Sequence, residues 1–197
     1  MQEVEKLWLS HARKGDADAF GHLVEIYQGP VYNLCHRMLG DAAEAEDAAQ
    51  ETFLRAYRSL GRYDATRPFS TWILSIAAHY CIDQIRRRRM AIVPFEDLPY
   101  GEVRDPAPNP EAEVSFLEDQ KMVEVLLAAL NPTDRATIIM YYWYDLSYEE
   151  IASALSLTTS AVKSRLHRAK KELASTWKDL PRPESAALRE KNGSPAF

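Results

Sequence analysis

The chain has 197 residues, 46% of them apolar and 27% charged, and a formal net charge of −5. These numbers fit an ordinary soluble protein of one large or two small domains. The two cysteines, Cys35 and Cys81, are far apart and in no metal-type spacing. This excludes a disulfide scaffold and reads as two buried thiols in a reducing compartment.

The opening stretch "MQEVEKLWLSHARKGD" is charged throughout, which is not the pattern of a signal peptide. No apolar run approaches the roughly 18 residues of a membrane span. The expectation is a cytoplasmic protein.

From residue 17 the pattern is helical. Phe20, Leu23, Val24 and Tyr27 share one face, Gly29-Pro30 predicts an interruption, and Val31, Leu34, Cys35 and Met38 resume the stripe up to a stop at Gly40. Asp41 and Glu44 have the spacing of a capping box, opening a long helix to about residue 60. Residues 61–67 read as a loop, and a further helix runs from about 68 to 89. No stretch shows strand alternation, so no sheet is expected.

Residues 91–111 contain Pro94, Pro99, Pro106, Pro108 and Pro110 among acidic neighbours. Prolines at this density do not propagate a helix, and the segment reads as a stiff linker. Between 91 and 120 there are eight acidic side chains and one basic one, so the overall acidity sits in this one segment. It is no argument against nucleic-acid binding by the parts on either side.

Beyond the linker, 111–130 reads as one helix. Asn131-Pro132 predicts a cap and a first helical position. Ser147 and Glu150 predict a second capping box, with Ile151, Ala154 and Leu155 as the apolar side of a short helix. A tight turn follows, and Thr158 or Thr159 is placed to cap the next helix. Two short helices joined in this way form a helix-turn-helix pattern. The tail 177–197 reads as flexible. The fold expected is all-α: two small helical domains, 1–90 and 112–176, joined by a Pro-rich acidic linker, with the helix-turn-helix in the second.

The last helix, "TTSAVKSRLHRAKKEL", has five Lys/Arg in its sixteen residues. At about 100° per residue, Val162, Leu166, Ala169 and Leu173 form the core stripe. Ser160, Ser164, His167 and Lys171 lie opposite, flanked by Lys163 and Lys170 on one side and Arg165 and Arg168 on the other. A solvated helix face usually mixes signs for pairing; here Glu172 is the one acidic member. Small hydroxyls amid long cations suit the major groove, and the pattern favours a DNA reader over a solvated face.

A second basic feature is "HYCIDQIRRRR". Cations at a helix C-terminus complement its dipole, but four in succession point all around the helix. Upstream lie Tyr63, Phe69 and Trp72, residue types found in cores and also suited to stacking on unstacked bases.

These segments, in this order, resemble an extracytoplasmic-function (ECF) sigma factor, the two-domain type of bacterial RNA polymerase specificity subunit. The resemblance covers about residues 14–176. "DAAEAEDAAQETFLRAYRSL" looks like the family's polymerase-clamp helix, "RPFSTWILSIAAHYCIDQIRRRR" like its −10 reading and melting helix, and "LSYEEIASALSLTTSAVKSRLHRAKKEL" like its −35 reader. The resemblance implies that Glu46, Asp47, Gln50, Glu51, Phe53 and Arg55 bind the beta-prime clamp of core RNA polymerase, with the beta flap as a further contact. It implies −10 contacts from Tyr63, Arg67, Phe69, Trp72, His79, Asp83, Arg86, Arg87 and Arg88, the loop 61–68 capturing a flipped base. It implies −35 contacts from Ser160, Lys163, Ser164, Arg165, His167, Arg168 and Lys171. His79 departs from the Asn common in the family, so the −10 preference is expected to differ. Promoter DNA and an anti-sigma factor are the further partners implied.

No cofactor, metal or enzymatic activity is expected. The five histidines form no ligand spacing, and there is no Gly-rich phosphate loop. The rival reading, a stand-alone helix-turn-helix regulator, leaves the basic, aromatic 63–89 segment without a use.

Overall fold

The structure is a computed structural model that describes residues 2–91 and 111–180. It is all-helical among the described residues. α1 (Gln2–Ala12), α2 (Ala17–Leu39), α3 (Ala42–Ser59) and α4 (Phe69–Ala91) form a first domain; a 3-10 turn at Leu60–Arg62 lies between α3 and α4. A second domain comprises α5 (Glu111–Ala129), α6 (Pro132–Trp143), α7 (Tyr148–Ala154) and α8 (Thr159–Asp179).

The caps set these boundaries. Asp16 accepts from Ala19 N at 3.0 Å and starts α2. Gly40, at φ 76°, ends it in the left-handed region and donates to the His36 carbonyl, a position that favours glycine because it has no Cβ. Asp41 accepts from Glu44 N at 2.9 Å. The carboxylate of Glu44 pairs with Arg88 of α4, so the box expected at Asp41 and Glu44 becomes a cap plus a bridge between helices. Ser147 and Glu150 form the full reciprocal box. Asn131 caps α6, with Pro132 in its first turn, and Thr158 caps α8 through Ala161 N at 3.1 Å.

One expectation is corrected. Gly29-Pro30 does not interrupt α2, which runs unbroken for 23 residues. Proline inside a helix removes one N–H and costs about 3 kcal/mol. Here Phe20, Leu23, Tyr27, Val31, Leu34, Cys35 and Met38 are all buried along one continuous stripe. A break would move half of that stripe off the core, and its burial outweighs the proline. α8 also continues to Asp179, three residues into the segment expected to be a flexible tail. The linker prolines and the segment 181–197 lie outside the described residues.

α2 is the centre of the first domain and packs on α1, α3 and α4. Cys35 and Cys81 are both buried in this core. Hydrogen bonding to Cys35, together with burial, pushes the Cys81 thiol up, so it stays protonated. In the second domain α8 packs on α5, α6 and α7, burying Val162, Leu166 and Ala169.

The two domains also pack together: α4 touches α6 and α7, and α2 touches α5 and α6. Tyr144 donates to the Pro30 carbonyl at 2.5 Å, and Arg135 donates to the Met38 carbonyl at 2.5 Å. This contact places the C-terminal half of α4 and the loop before it beside the second domain.

Candidate nucleic-acid interface

The turn through 155–158 sets α8 against α7, with Ser156 at φ 54° absorbing the reversal. The core stripe of α8 faces inward. Ser160, Lys163, Ser164, His167 and Lys171 are exposed on the opposite side. Lys163 Nζ lies 5.6 Å from the centre of the Tyr148 ring. Lys170 sits near two rings, 5.7 Å from Tyr141 and 5.4 Å from Tyr142. These contacts steady long side chains that otherwise lose rotamer entropy on binding.

Arg165 and Arg168 are placed differently. Both turn toward Asp134 of α6, whose side chain has 0% exposure. Arg165 Nη1 donates to Oδ1 at 2.6 Å. Arg168 donates from Nε to Oδ2 at 2.8 Å and from Nη2 to Oδ1 at 3.0 Å. Asn131 Nδ2 adds a bond to Oδ2 at 2.6 Å. Burial pushes this carboxyl up, but the bonds from Arg168, Arg165 and Asn131 outweigh it and hold the carboxyl below its ordinary value. The Asp134 bond in turn pushes the Arg168 guanidinium up. Asp134 is absent from the candidate residues named from the sequence. A lone acid at the third position of a helix looks like a dipole partner, and only the fold places two arginines on it.

On the first domain, the aromatics of the 63–72 segment form a packed cluster. Phe69 lies 5.2 Å from Tyr27, 5.5 Å from Tyr63 and 5.4 Å from Trp72, ring centre to ring centre. Phe69 is 2% exposed and Tyr63 5%, so these two rings mainly support the loop. Trp72 is half-buried. The Tyr63 hydroxyl donates to the Arg67 carbonyl, closing the loop on itself. Asp64 accepts from the hydroxyl and the N–H of Thr66, which hold its carboxyl below the ordinary value.

A cavity of about 800 Å³ opens beside this loop. Tyr63, Arg67 and Phe69 line it, as do Tyr27, Arg13 and Lys14. Glu5 also lines it and accepts from the Tyr27 hydroxyl at 2.9 Å. Sequence reasoning missed the α1 side of this cavity. The dense charges of the opening segment mask an apolar edge in which Leu9 and Ala12 are buried and Trp8 stacks on His22 at 4.6 Å.

Along α4, His79, Asp83, Arg86 and Arg87 are exposed. His79 Nδ1 lies 2.8 Å from the Ser75 carbonyl. A carbonyl only accepts, so Nδ1 donates this bond and Nε2 is the ring nitrogen left for another partner. Arg88 pairs with Glu44, and Arg86 Nη2 donates to Thr133 Oγ1 at 3.3 Å in the second domain. Arg67 Nη1 likewise donates to Ser153 Oγ at 2.5 Å.

On α3, Glu46, Asp47 and Gln50 are exposed, while Glu51 and Phe53 are half-buried. Arg55 Nε donates to Glu51 at 2.7 Å and its guanidinium lies over the Tyr80 ring at 4.8 Å. Leu54 and Tyr57 add exposed apolar surface to this helix.

Two family descriptions match the chain: Sigma-70 region 2 over residues 23–90 and Sigma-70 region 4 over residues 120–173. The ECF RNA polymerase sigma factor SigW of Bacillus subtilis is 35% identical over 187 residues, covering 91% of this chain and 100% of SigW. This chain belongs to the ECF sigma factors. The RNA polymerase sigma-H factor of Pseudomonas aeruginosa is 30% identical, covering 92% of this chain and 97% of that protein. CnrH, solved in complex with the cytosolic domain of CnrY, superposes with a TM-score of 0.66 at 25% identity, over 90% of this chain and 99% of CnrH. As an ECF sigma factor the protein acts in transcription and catalyses no reaction itself. Among the described residues, no helix is long and apolar enough to cross a membrane and no cluster of His, Cys, Asp or Glu is built to hold a metal.

Proposed function

We propose that this sigma factor joins core RNA polymerase in the cytoplasm and reads two promoter elements. The second domain reads −35 duplex DNA with a helix-turn-helix made of α7 and α8. The first reads and melts the −10 element as single strand. The observation that carries this reading is the division of α8 into a buried apolar stripe and an outward face of Ser160, Lys163, Ser164, His167 and Lys171. Short hydroxyls let the helix approach base edges, and the cations reach phosphates.

The cavity beside the 63–69 loop is the candidate for a flipped −10 base. Arg13, Lys14 and Arg67 on its lining suit phosphate and base-edge contacts, above a floor of the buried Tyr27, Tyr63 and Phe69 rings. His79 and Asp83 lie farther along the same helix, and Arg86, Arg87 and Arg88 supply phosphate contacts. Glu46, Asp47, Gln50, Glu51, Phe53 and Arg55 would dock on the beta-prime clamp, with Leu54 and Tyr57 as apolar additions. The Pro-rich acidic segment 91–111 is the tether between domains 1–90 and 112–176. The sigma factor RpoE of Bartonella quintana, which shares this fold, was solved in complex with the anti-sigma factor NepR, and an anti-sigma factor is the further partner proposed here.

Arg67 and Arg86 are bonded to the second domain in this packed arrangement. Promoter engagement therefore requires those contacts to open. The test is transcription by the full chain with core RNA polymerase on a library of promoters, with start sites sequenced. A shared −35 and −10 motif upstream of the starts is expected. If no promoter-specific transcript forms while the chain alone footprints a duplex operator, the stand-alone regulator is the right reading.

A further inference from the structure

Arg168 is the arginine on α8 whose guanidinium is both anchored and exposed. Its side chain is 56% exposed while two of its donors are fixed on a carboxylate with 0% exposure. The donors used are Nε and Nη2, the side-on edge of the fork. An arginine has five N–H donors in a rigid plane. The end-on edge, formed by Nη1 and the second hydrogen of Nη2, is left for another partner. That edge matches the O6 and N7 acceptors of guanine or a phosphate.

We infer that Asp134 is a positioning residue for −35 recognition: it clamps the side-on edge of Arg168 and aims the end-on edge at the DNA. The inference rests on the −35 role proposed for α8. The other contacts on the carboxylate fit this role. Asn131 Nδ2 bonds Oδ2 at 2.6 Å, and Asn131 Oδ1 caps Asp134 N at 3.0 Å, so the carboxylate sits on a fixed helix start. Arg165, with 27% of its side chain exposed, bonds Oδ1 at 2.6 Å and acts as the second strut. Arg165 therefore moves from the base-reading set to the supporting set. A guanidinium held this way loses little rotamer freedom on meeting DNA, and its plane is set before contact.

The experiment selects −35 sequences from a randomised duplex library, using holoenzyme reconstituted from the full chain and core RNA polymerase. Wild type, Asp134→Asn, Arg168→Ala and Arg168→Lys are compared, with thermal unfolding as the folding check. Arg168→Ala is expected to relax selection at one or two base pairs by roughly tenfold. Asp134→Asn, which keeps the shape but weakens the clamp, is expected to relax the same positions, leaving −10 selection as in wild type. A purely structural role would reduce overall binding without changing that base profile. Arg168→Lys keeps the charge but has no second edge, so it is expected to lose the same preference. Unchanged selection at those positions with folded Asp134→Asn overturns the inference. If that variant does not fold, wild-type selection by Arg168→Lys overturns it instead. A wild type that selects no −35 motif at all refutes the proposed function, a different failure from either of these.

Discussion

Arg135 of α6 donates from Nη1 to the carbonyl oxygen of Met38, in the last turn of α2, at 2.5 Å across the boundary between the two domains. Its Nη2 bonds the Ala128 carbonyl at 2.8 Å within its own domain. Burial pushes the guanidinium down to about 10. A buried cation held by backbone carbonyls, the negative ends of two helices, is well placed electrostatically. Arg135→Ala should destabilise the chain by about 2–4 kcal/mol, since it strands two carbonyls and leaves a cavity. The check is the urea midpoint with the m-value held in view. An unchanged midpoint would mean that the two domains do not pack this way in solution.

Tyr144 makes another bond across the boundary, to Pro30. Burial pushes its phenol well up, so it remains a donor at any ordinary pH. Tyr144→Phe removes only the hydroxyl and should weaken the packed arrangement by about 1 kcal/mol. That is roughly a fivefold shift toward separated domains by the relation between free energy and populations. Energy transfer between dyes on α3 and α7 should report a longer mean distance. Equal transfer in the two proteins would remove the bond from the closure.

His79 has Nδ1 committed to the Ser75 carbonyl, which leaves Nε2 as the ring nitrogen for another partner. Asparagine at this position offers a donor and an acceptor from a shorter side chain. His79→Asn should therefore change which −10 sequences the holoenzyme selects while leaving −35 selection in place. The readout is a randomised −10 library transcribed by both proteins, and identical selected pools would exclude His79 from base reading.

The Asp134 carboxyl lies below its ordinary value in the folded state. Between the folded and unfolded values the unfolded chain binds the extra proton, so stability rises with pH there. The stabilisation is complete above about pH 4, the ordinary value of an aspartate, and is lost as pH falls through the depressed value. Thermal melts of wild type between pH 2 and 5 should show a steeper acid limb than Asp134→Asn. Parallel limbs would refute the assignment, because an asparagine at this position cannot titrate.

Local chemistry was legible in the sequence. Asp41, Asn131, Ser147 and Thr158 cap helices where their side chains predict, and the stripe of Val162, Leu166 and Ala169 is the buried side of α8. These features depend on contacts within three or four residues, so a single chain read in order contains them. The exposed face of Ser160, Lys163, Ser164, His167 and Lys171 was legible for the same reason, as the complement of that stripe.

Tertiary contacts decided the rest. Proline 30 reads as a break from its own chemistry, yet burial on both sides of it keeps α2 whole. Cys35 and Cys81, far apart in the chain, meet in one core. The charged opening segment supplies Arg13 and Lys14 to the cavity beside the 63–69 loop. Arg165 and Arg168 look like equal flanks of a basic helix until α6 brings Asp134 beneath them. The sequence by itself determined where α3, α6, α7 and α8 begin and which faces of α2, α7 and α8 are apolar, because short-range hydrogen bonds and 3.6-residue periodicity are written locally. Only the tertiary structure decided which cations are anchored and which stay exposed, because a charge is committed by the group it meets across the core.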